Sequence, residues 1–206
     1  MSREVLQILK RIDQDNNIEI KIALQCAPLL TGIKISNLFI VATGNAKHVF
    51  QSFQGTQVAM CVLCKTKQKT VFFLYRQEEL EAYLRSPKVQ ELLKHLGYES
   101  LQLNSIIKEC SKRYQQYVTD DKEFPHELGL LLGYPAEDVI GFIENHGKNP
   151  LYTGYWKVYS NLREALNLFE KYNQARETVV RMISCGFDVQ NILRIYQERK
   201  YCELAV

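Results

Sequence analysis

Residues 124–159, FPHELGLLLGYPAEDVIGFIENHGKNPLYTGYWKVY, constrain the fold more than any other part of the chain. They hold five of the ten glycines (Gly129, Gly133, Gly141, Gly147 and Gly154), three of the five prolines and the only tryptophan. Glycine loses the most backbone freedom on folding and proline removes a hydrogen-bond donor. Such density is tolerated where a chain needs specific turns and close backbone approaches. The stretch therefore marks either a site or a tightly built corner.

The surrounding chain is that of an ordinary soluble protein. Its 206 residues suffice for one well-buried core, so residues 1–206 are expected to form a single domain. Hydrophobic residues make up 46% and charged residues 24%, and the formal charge is +3 without a basic stripe. That balance gives no reason to expect a nucleic-acid or membrane partner. The N-terminus alternates charged and apolar residues, unlike a secretory leader, and no apolar run approaches the roughly 18 residues that span a bilayer. A cytoplasmic location is expected. There the six cysteines (Cys26, Cys61, Cys64, Cys110, Cys185 and Cys202) should be reduced thiols.

Periodicity predicts a helix over residues 1–15 and a polar break at 13–17. Residues 18–30 alternate like a strand at Ile18, Ile20, Ile22 and Leu24, yet Ile20, Ala23, Leu24 and Ala27 fit a helix. A helix ending near Pro28 is the preferred reading. Residues 37–43 read as a buried strand, 45–53 as a short helix, and 57–64 with 70–76 as a hairpin whose turn lacks glycine. Helical spacing follows through residues 77–117, with Pro87 at a first helical position. Residues 156–159 suggest one more short strand. Asn161 is a candidate N-cap for a helix with Leu162, Ala165, Leu166, Phe169 and Tyr172 inward, and a last helix spans 188–200. These elements make an α+β fold: a small three- to four-stranded, mostly antiparallel sheet covered by helices, with a helix-rich C-terminal half.

Several residue groups could carry chemistry. Cys61 and Cys64 form a CxxC, but no second pair completes a zinc site. Residues three apart on a strand also point to opposite faces, so at least one of the two is expected to be a core thiol. His126-Glu127 lacks the histidine a zinc-peptidase helix needs, since position 130 is Leu130. At a helix start after Pro125, Glu127 would complement the helix dipole; alternatively His126 acts as an acid or base. Residues 131–143 have the rhythm of a helix-turn-helix with Gly133 at the turn and Val139 and Phe142 inward. The second helix, however, presents Glu137 and Asp138, which repel phosphate. Cys26-Ala27-Pro28 with Gly32 and Lys34 is a second tight corner. There Cys26 is either a small core hydrophobe or a thiol activated beside Lys34.

The runs CAPLLTGIK at 26–34 with NLF at 37–39, FPHELG at 124–129, LGYPAEDVIGFI at 132–143 and GYWKVY at 154–159 together resemble the signature of an uncharacterised bacterial family, domain of unknown function 3793. The likeness runs in order through nearly the whole chain. It implies a small single-domain cytosolic protein, found mostly in anaerobic bacteria, and brings no reaction or catalytic residue with it. The family often has a histidine before the cysteine of the first run, where this chain has Gln25. A partner for Cys26 would then come from elsewhere, with His126 the natural candidate.

The leading expectation is a small-molecule site where the 26–34 corner meets the turn at 125–127. Cys26 would serve as nucleophile and His126 as base, with Lys34, Glu127, Tyr134, Trp156 and Lys157 contacting the ligand. The alternative is a non-catalytic interaction or adaptor module that docks a protein partner through Tyr134 or Phe142. A third reading is a DNA-binding regulator using the helical corner. No spacing points to a metal, and no cofactor is implied by the residues.

Overall fold

The structure, a computed structural model, describes residues 2–11, 17–120 and 122–204, with side chains described except at 11 and 199–204. Helix α1 is Arg3–Arg11; residues 12–15 of the expected first helix lie outside the described residues. Helix α2, Ile18–Leu30, settles the ambiguous segment. Asn17 caps it, its side-chain oxygen accepting from the Ile20 amide at 3.1 Å. Ile20, Ile22, Ala23, Cys26, Ala27, Leu29 and Leu30 are all fully buried. A helix buried almost all round satisfies a strand-like and a helix-like pattern at once, which explains why the sequence reads both ways. Pro28 sits inside the last turn, and the helix continues two residues beyond it. The Arg76 guanidinium donates to the Leu29 carbonyl at 3.1 and 3.2 Å, serving one of the carbonyls that any helix C-terminus leaves without an intrahelical partner.

Strand β1 (Ser36–Ala42), helix α3 (Ala46–Phe53), β2 (Ala59–Lys65) and β3 (Lys69–Tyr75) follow. The sheet order is β1-β3-β2 with both pairings antiparallel. β1 was expected to be a buried strand; it is an edge strand with Ile40 exposed, and the buried centre is β3. The β2–β3 turn manages without glycine because the Thr66 hydroxyl accepts from the amides of Gln68 and Lys69 at 3.3 and 3.0 Å.

Helices α4 (Gln77–Leu84), α5 (Pro87–His95), α6 (Leu103–Asp120), α7 (Leu128–Leu131) and α8 (Ala136–Glu144) come next. The small hairpin of β4 (Tyr152–Thr153) and β5 (Lys157–Val158) precedes α9 (Leu162–Ser184) and α10 (Val189–Leu204). The fold is α+β: a three-stranded antiparallel sheet and a two-stranded one, covered by helices, with the C-terminal half rich in helix. One apolar cluster joins Phe72 and Leu74 of β3 to α1, α2, α3, α9 and α10. A second, on the other face, joins Val71 and Phe73 to α4 through α8. A third packs Trp156 and Val158 on Ala165, Phe169 and Tyr172 of α9. Tyr134 belongs to the borders of both the second and the third.

Three further expectations change. Cys61 and Cys64 lie on one face, because the β2 register slips between Val62 and Cys64; they oppose Phe73 and Val71, which are two apart on β3. Leu166 is exposed, while Ala165, Phe169 and Tyr172 of the same helix are buried as expected. Asn161 stands at the N-cap position of α9 with a left-handed φ of 41° and makes no side-chain cap.

Candidate functional site

The glycine-rich segment folds into a corner of α7, a turn, α8 and the β4–β5 hairpin. Gly133 makes the α7–α8 turn at φ +72°, a left-handed conformation that a side chain at this position would strain. Gly141 permits a close approach: a Cβ there would lie 2.5 Å from the Tyr159 Cβ, so α8 meets the strand after Trp156 almost backbone to side chain.

Asp138, in the first turn of α8, ties this corner together. Its Oδ2 accepts from Trp156 Nε1 at 2.7 Å. Its Oδ1 accepts from the Tyr159 and Ser160 amides, each at 2.8 Å, and from the Ser160 hydroxyl at 3.0 Å. A buried carboxylate is tolerated only when it is well supplied with hydrogen bonds, and four donors, three on Oδ1 and one on Oδ2, supply it. Trp156 is thereby held in one orientation. It stacks on Tyr134 with ring centroids 5.0 Å apart and meets Phe169 edge-on at 4.5 Å.

Between this wall and the turn at Pro125 the side chains leave a half-open hollow of about 260 Å³. Phe124 and His126 line one side; Tyr134, Phe142 and Trp156 line others, with Leu38, Leu128, Leu132 and Val139 completing an apolar surface. The His126 ring lies 5.3 Å from Phe142 and 6.2 Å from Phe124. Its Nε2 is 3.3 Å from an oxygen of Glu123, while its Nδ1 is shielded from solvent and has no hydrogen-bond partner among the described residues. Lys157 donates to the Gly147 carbonyl at 2.7 Å with its ammonium 5.6 Å from the Phe142 ring centre.

The sequence-predicted residues separate into two groups. His126, Tyr134, Trp156 and Lys157 line the hollow. Lys34 stands one layer behind it, its ammonium 5.4 Å from the centre of the Tyr134 ring and donating to Asn37 Oδ1 at 3.0 Å. Burial without a carboxylate partner lowers Lys34 to about 8, with the Cys26 thiol partly opposing the shift. Cys26 is fully buried on α2 and is not among the residues lining the hollow. Burial pushes its thiol up to about 12, against a hydrogen bond from Asn37 Nδ2 at 3.4 Å and the nearby Lys34 charge. Glu127 points inward: its carboxylate accepts from the Tyr98 hydroxyl at 2.9 Å and from Arg113 at 3.0 Å. That ion pair ties α6 to the start of α7.

Sequence reasoning missed Leu38, Phe124, Glu123 and the role of Asp138. Asp138 reads locally as a helix-start acid; its donors come from residues 156–160, and nothing in the spacing signals them. Glu123, three residues before His126, lies with a carboxylate oxygen 3.3 Å from its Nε2. Among the described residues, no three His, Cys, Asp or Glu side chains are grouped to hold a metal ion, and no helix is long and apolar enough to cross a membrane.

Fold and hollow together define an α+β protein with a small aromatic-walled cavity at the junction of two apolar clusters. The chain belongs to the family described as "Protein of unknown function (DUF3793)", which matches residues 22–193 and so takes in both corners and every residue lining the hollow. Comparison with curated proteins and with solved structures gives no match.

Proposed function

We propose that this protein binds a small, largely apolar molecule in the hollow walled by Phe124, His126, Tyr134, Phe142 and Trp156. One observation carries the reading: an apolar hollow of about 260 Å³ left open between aromatic walls, one of which, Trp156, is held in place from behind by Asp138. Interiors close-pack, so a hollow left between such walls favours an occupant. The size suits one or two rings, since a cavity of about 150 Å³ already takes benzene. We assign His126, on the wall with its Nε2 beside Glu123, as the residue that acts on the ligand. Cys26 in this reading is a packing thiol, because a group raised to about 12 supplies little thiolate at neutral pH.

The adaptor reading is less well supported. Tyr134 is stacked against Trp156, and Phe142 lines the hollow, so neither ring forms a protruding docking face. A DNA-binding role is opposed by the acidic first turn of α8, Glu137 and Asp138.

Titration with 8-anilinonaphthalene-1-sulfonate tests the proposal. The dye is expected to bind one saturable site, and Leu132→Trp, which fills the hollow, to abolish that binding while far-ultraviolet circular dichroism is unchanged. Absence of saturable binding, or binding untouched by the filling substitution, overturns it.

A further inference from the structure

The two edges of the three-stranded sheet are built differently. Natural proteins blunt a sheet edge with charge, proline, a bulge or a covering element, because a bare row of N–H and C=O groups templates further pairing. β2 has three of these devices. Its register slips between Val62 and Cys64, it ends in Lys65, and α6 lies against it with the Ser111 hydroxyl donating to the Leu63 carbonyl at 2.6 Å. β1 has none of the first three. Its seven residues, SNLFIVA, carry no charge and no proline, pair with β3 in unbroken register, and leave Ile40 43% exposed.

The direction of the β1 backbone follows from its two ends. The Ile35 carbonyl accepts from the Arg76 amide at 2.8 Å and the Thr43 amide donates to the Gln68 carbonyl at 2.9 Å, both on the β3 side. In an antiparallel pair every second residue turns both backbone groups to the same neighbour. Residues 35, 37, 39, 41 and 43 therefore serve β3, while Leu38, Ile40 and Ala42 turn theirs outward. Among the described residues, no hydrogen bond reaches the amides of Leu38, Ile40 and Ala42 or the carbonyl of Ile40. The Leu38 carbonyl accepts from Asn37 Nδ2 at 2.7 Å and keeps its second lone pair.

We propose that β1 is a dimer interface: two copies of this chain pair antiparallel about a two-fold axis at Ile40, making one continuous sheet with three strands from each copy. A two-fold interface must be complementary to itself, and this strand is. Ile40 faces the partner's Ile40 and exchanges both backbone bonds with it. Leu38 faces the partner's Ala42, and Ala42 the partner's Leu38, so a large side chain meets a small one each way. With no charge anywhere on β1, no like charges oppose each other across the axis. Pairing also removes the exposed Ile40 side chain from water. An extended segment of an unrelated protein would meet the same backbone and has no need of this self-matching. The interface is separate from the ligand-binding reading and goes beyond it.

Sedimentation equilibrium of the intact protein at micromolar concentrations tests this, and the mass of two chains is expected. Ile40→Lys sets two ammonium groups on the axis and should raise the dissociation constant at least about tenfold. Ile40→Pro removes only an outward amide, since the bonds from β1 to β3 come from the odd-numbered residues, and should weaken the dimer in the same direction. Val62→Lys, at a similarly exposed apolar position on the opposite edge strand, should leave the dimer unchanged. Far-ultraviolet circular dichroism of each variant monitors the fold. A protein that is monomeric throughout overturns the proposal. So does a dimer that folded Ile40→Lys leaves intact, or one that Val62→Lys weakens as much as Ile40→Lys does.

Discussion

The two sharp bends of this chain, at residues 26–34 and 124–159, carry similar sequence signatures and end in opposite states. The first is closed. Asn37 donates to the Cys26 sulfur at 3.4 Å and accepts from Lys34 at 3.0 Å, and Lys34 covers one ring of the neighbouring corner. The second is open. Asp138 and its four donors hold Trp156 and Tyr159 on one side, the Pro125 turn holds Phe124 and His126 on the other, and Phe142 lies between. Rigid rings fixed from behind cannot relax into the space they enclose. Density of glycine and proline therefore marks tight building in both places. Only the accounting of side-chain partners tells a filled corner from a site.

The comparison can be broken most directly at Cys26. If the first bend is closed, iodoacetamide at pH 8 should alkylate the exposed Cys185 readily and Cys26 about a thousandfold more slowly than a free thiol, the consequence of a pKa near 12 against an ordinary 9.0. Peptide mass spectrometry reads this, and Cys26 reacting as fast as Cys185 would show the bend to be open. The next largest effect concerns Lys34. Its folded pKa of about 8 lies below the unfolded value of 10.5, so the unfolded chain binds more protons between those limits and stability rises with pH there. Urea titrations should show the natural protein gaining about 3 kcal/mol relative to Lys34→Met between about pH 8 and 10.5, with the difference flat below pH 7. A constant difference across that range would mean the ammonium is solvated.

Gly141→Ala sharpens the other half of the comparison, because its Cβ would press to 2.5 Å of Tyr159. Overpacking of this kind should cost about 2 kcal/mol in urea denaturation. A neutral result would show that the wall behind the hollow is loose. The smallest effect is expected at His126. Replacing it with Phe removes a buried nitrogen that has no partner, so stability should stay level or rise by about 1 kcal/mol. A clear loss would mean that His126 is architecture and that both bends are filled.

Much of the fold was legible along the chain. The helices from Gln77 onward, the β2–β3 hairpin and the break at Gly133 follow from spacing and turn chemistry, which act between near neighbours. β1 was misjudged as buried because an apolar run cannot say whether it lies at the centre or the edge of a sheet. The CxxC faces were misjudged because one slipped residue turns the following side chains over. Of the residues lining the hollow, His126, Tyr134, Trp156 and Lys157 stood out in the sequence as unusual residues in an unusual stretch. Glu127 looked just as promising, and its carboxylate lies instead in the core against Tyr98 and Arg113.

By itself the sequence determined the kinds of element, their order, the family and the stretch that builds the tight corner, because propensity, turn residues and apolar period are local properties. Tertiary structure decided which polar groups were left over. Asp138 meets its donors 18 to 22 residues away, Lys34 meets the Tyr134 ring, and Nδ1 of His126 finds no hydrogen-bond partner among the described residues. Whether a buried polar atom is satisfied depends on atoms brought in from distant segments, and only the packed chain brings them there.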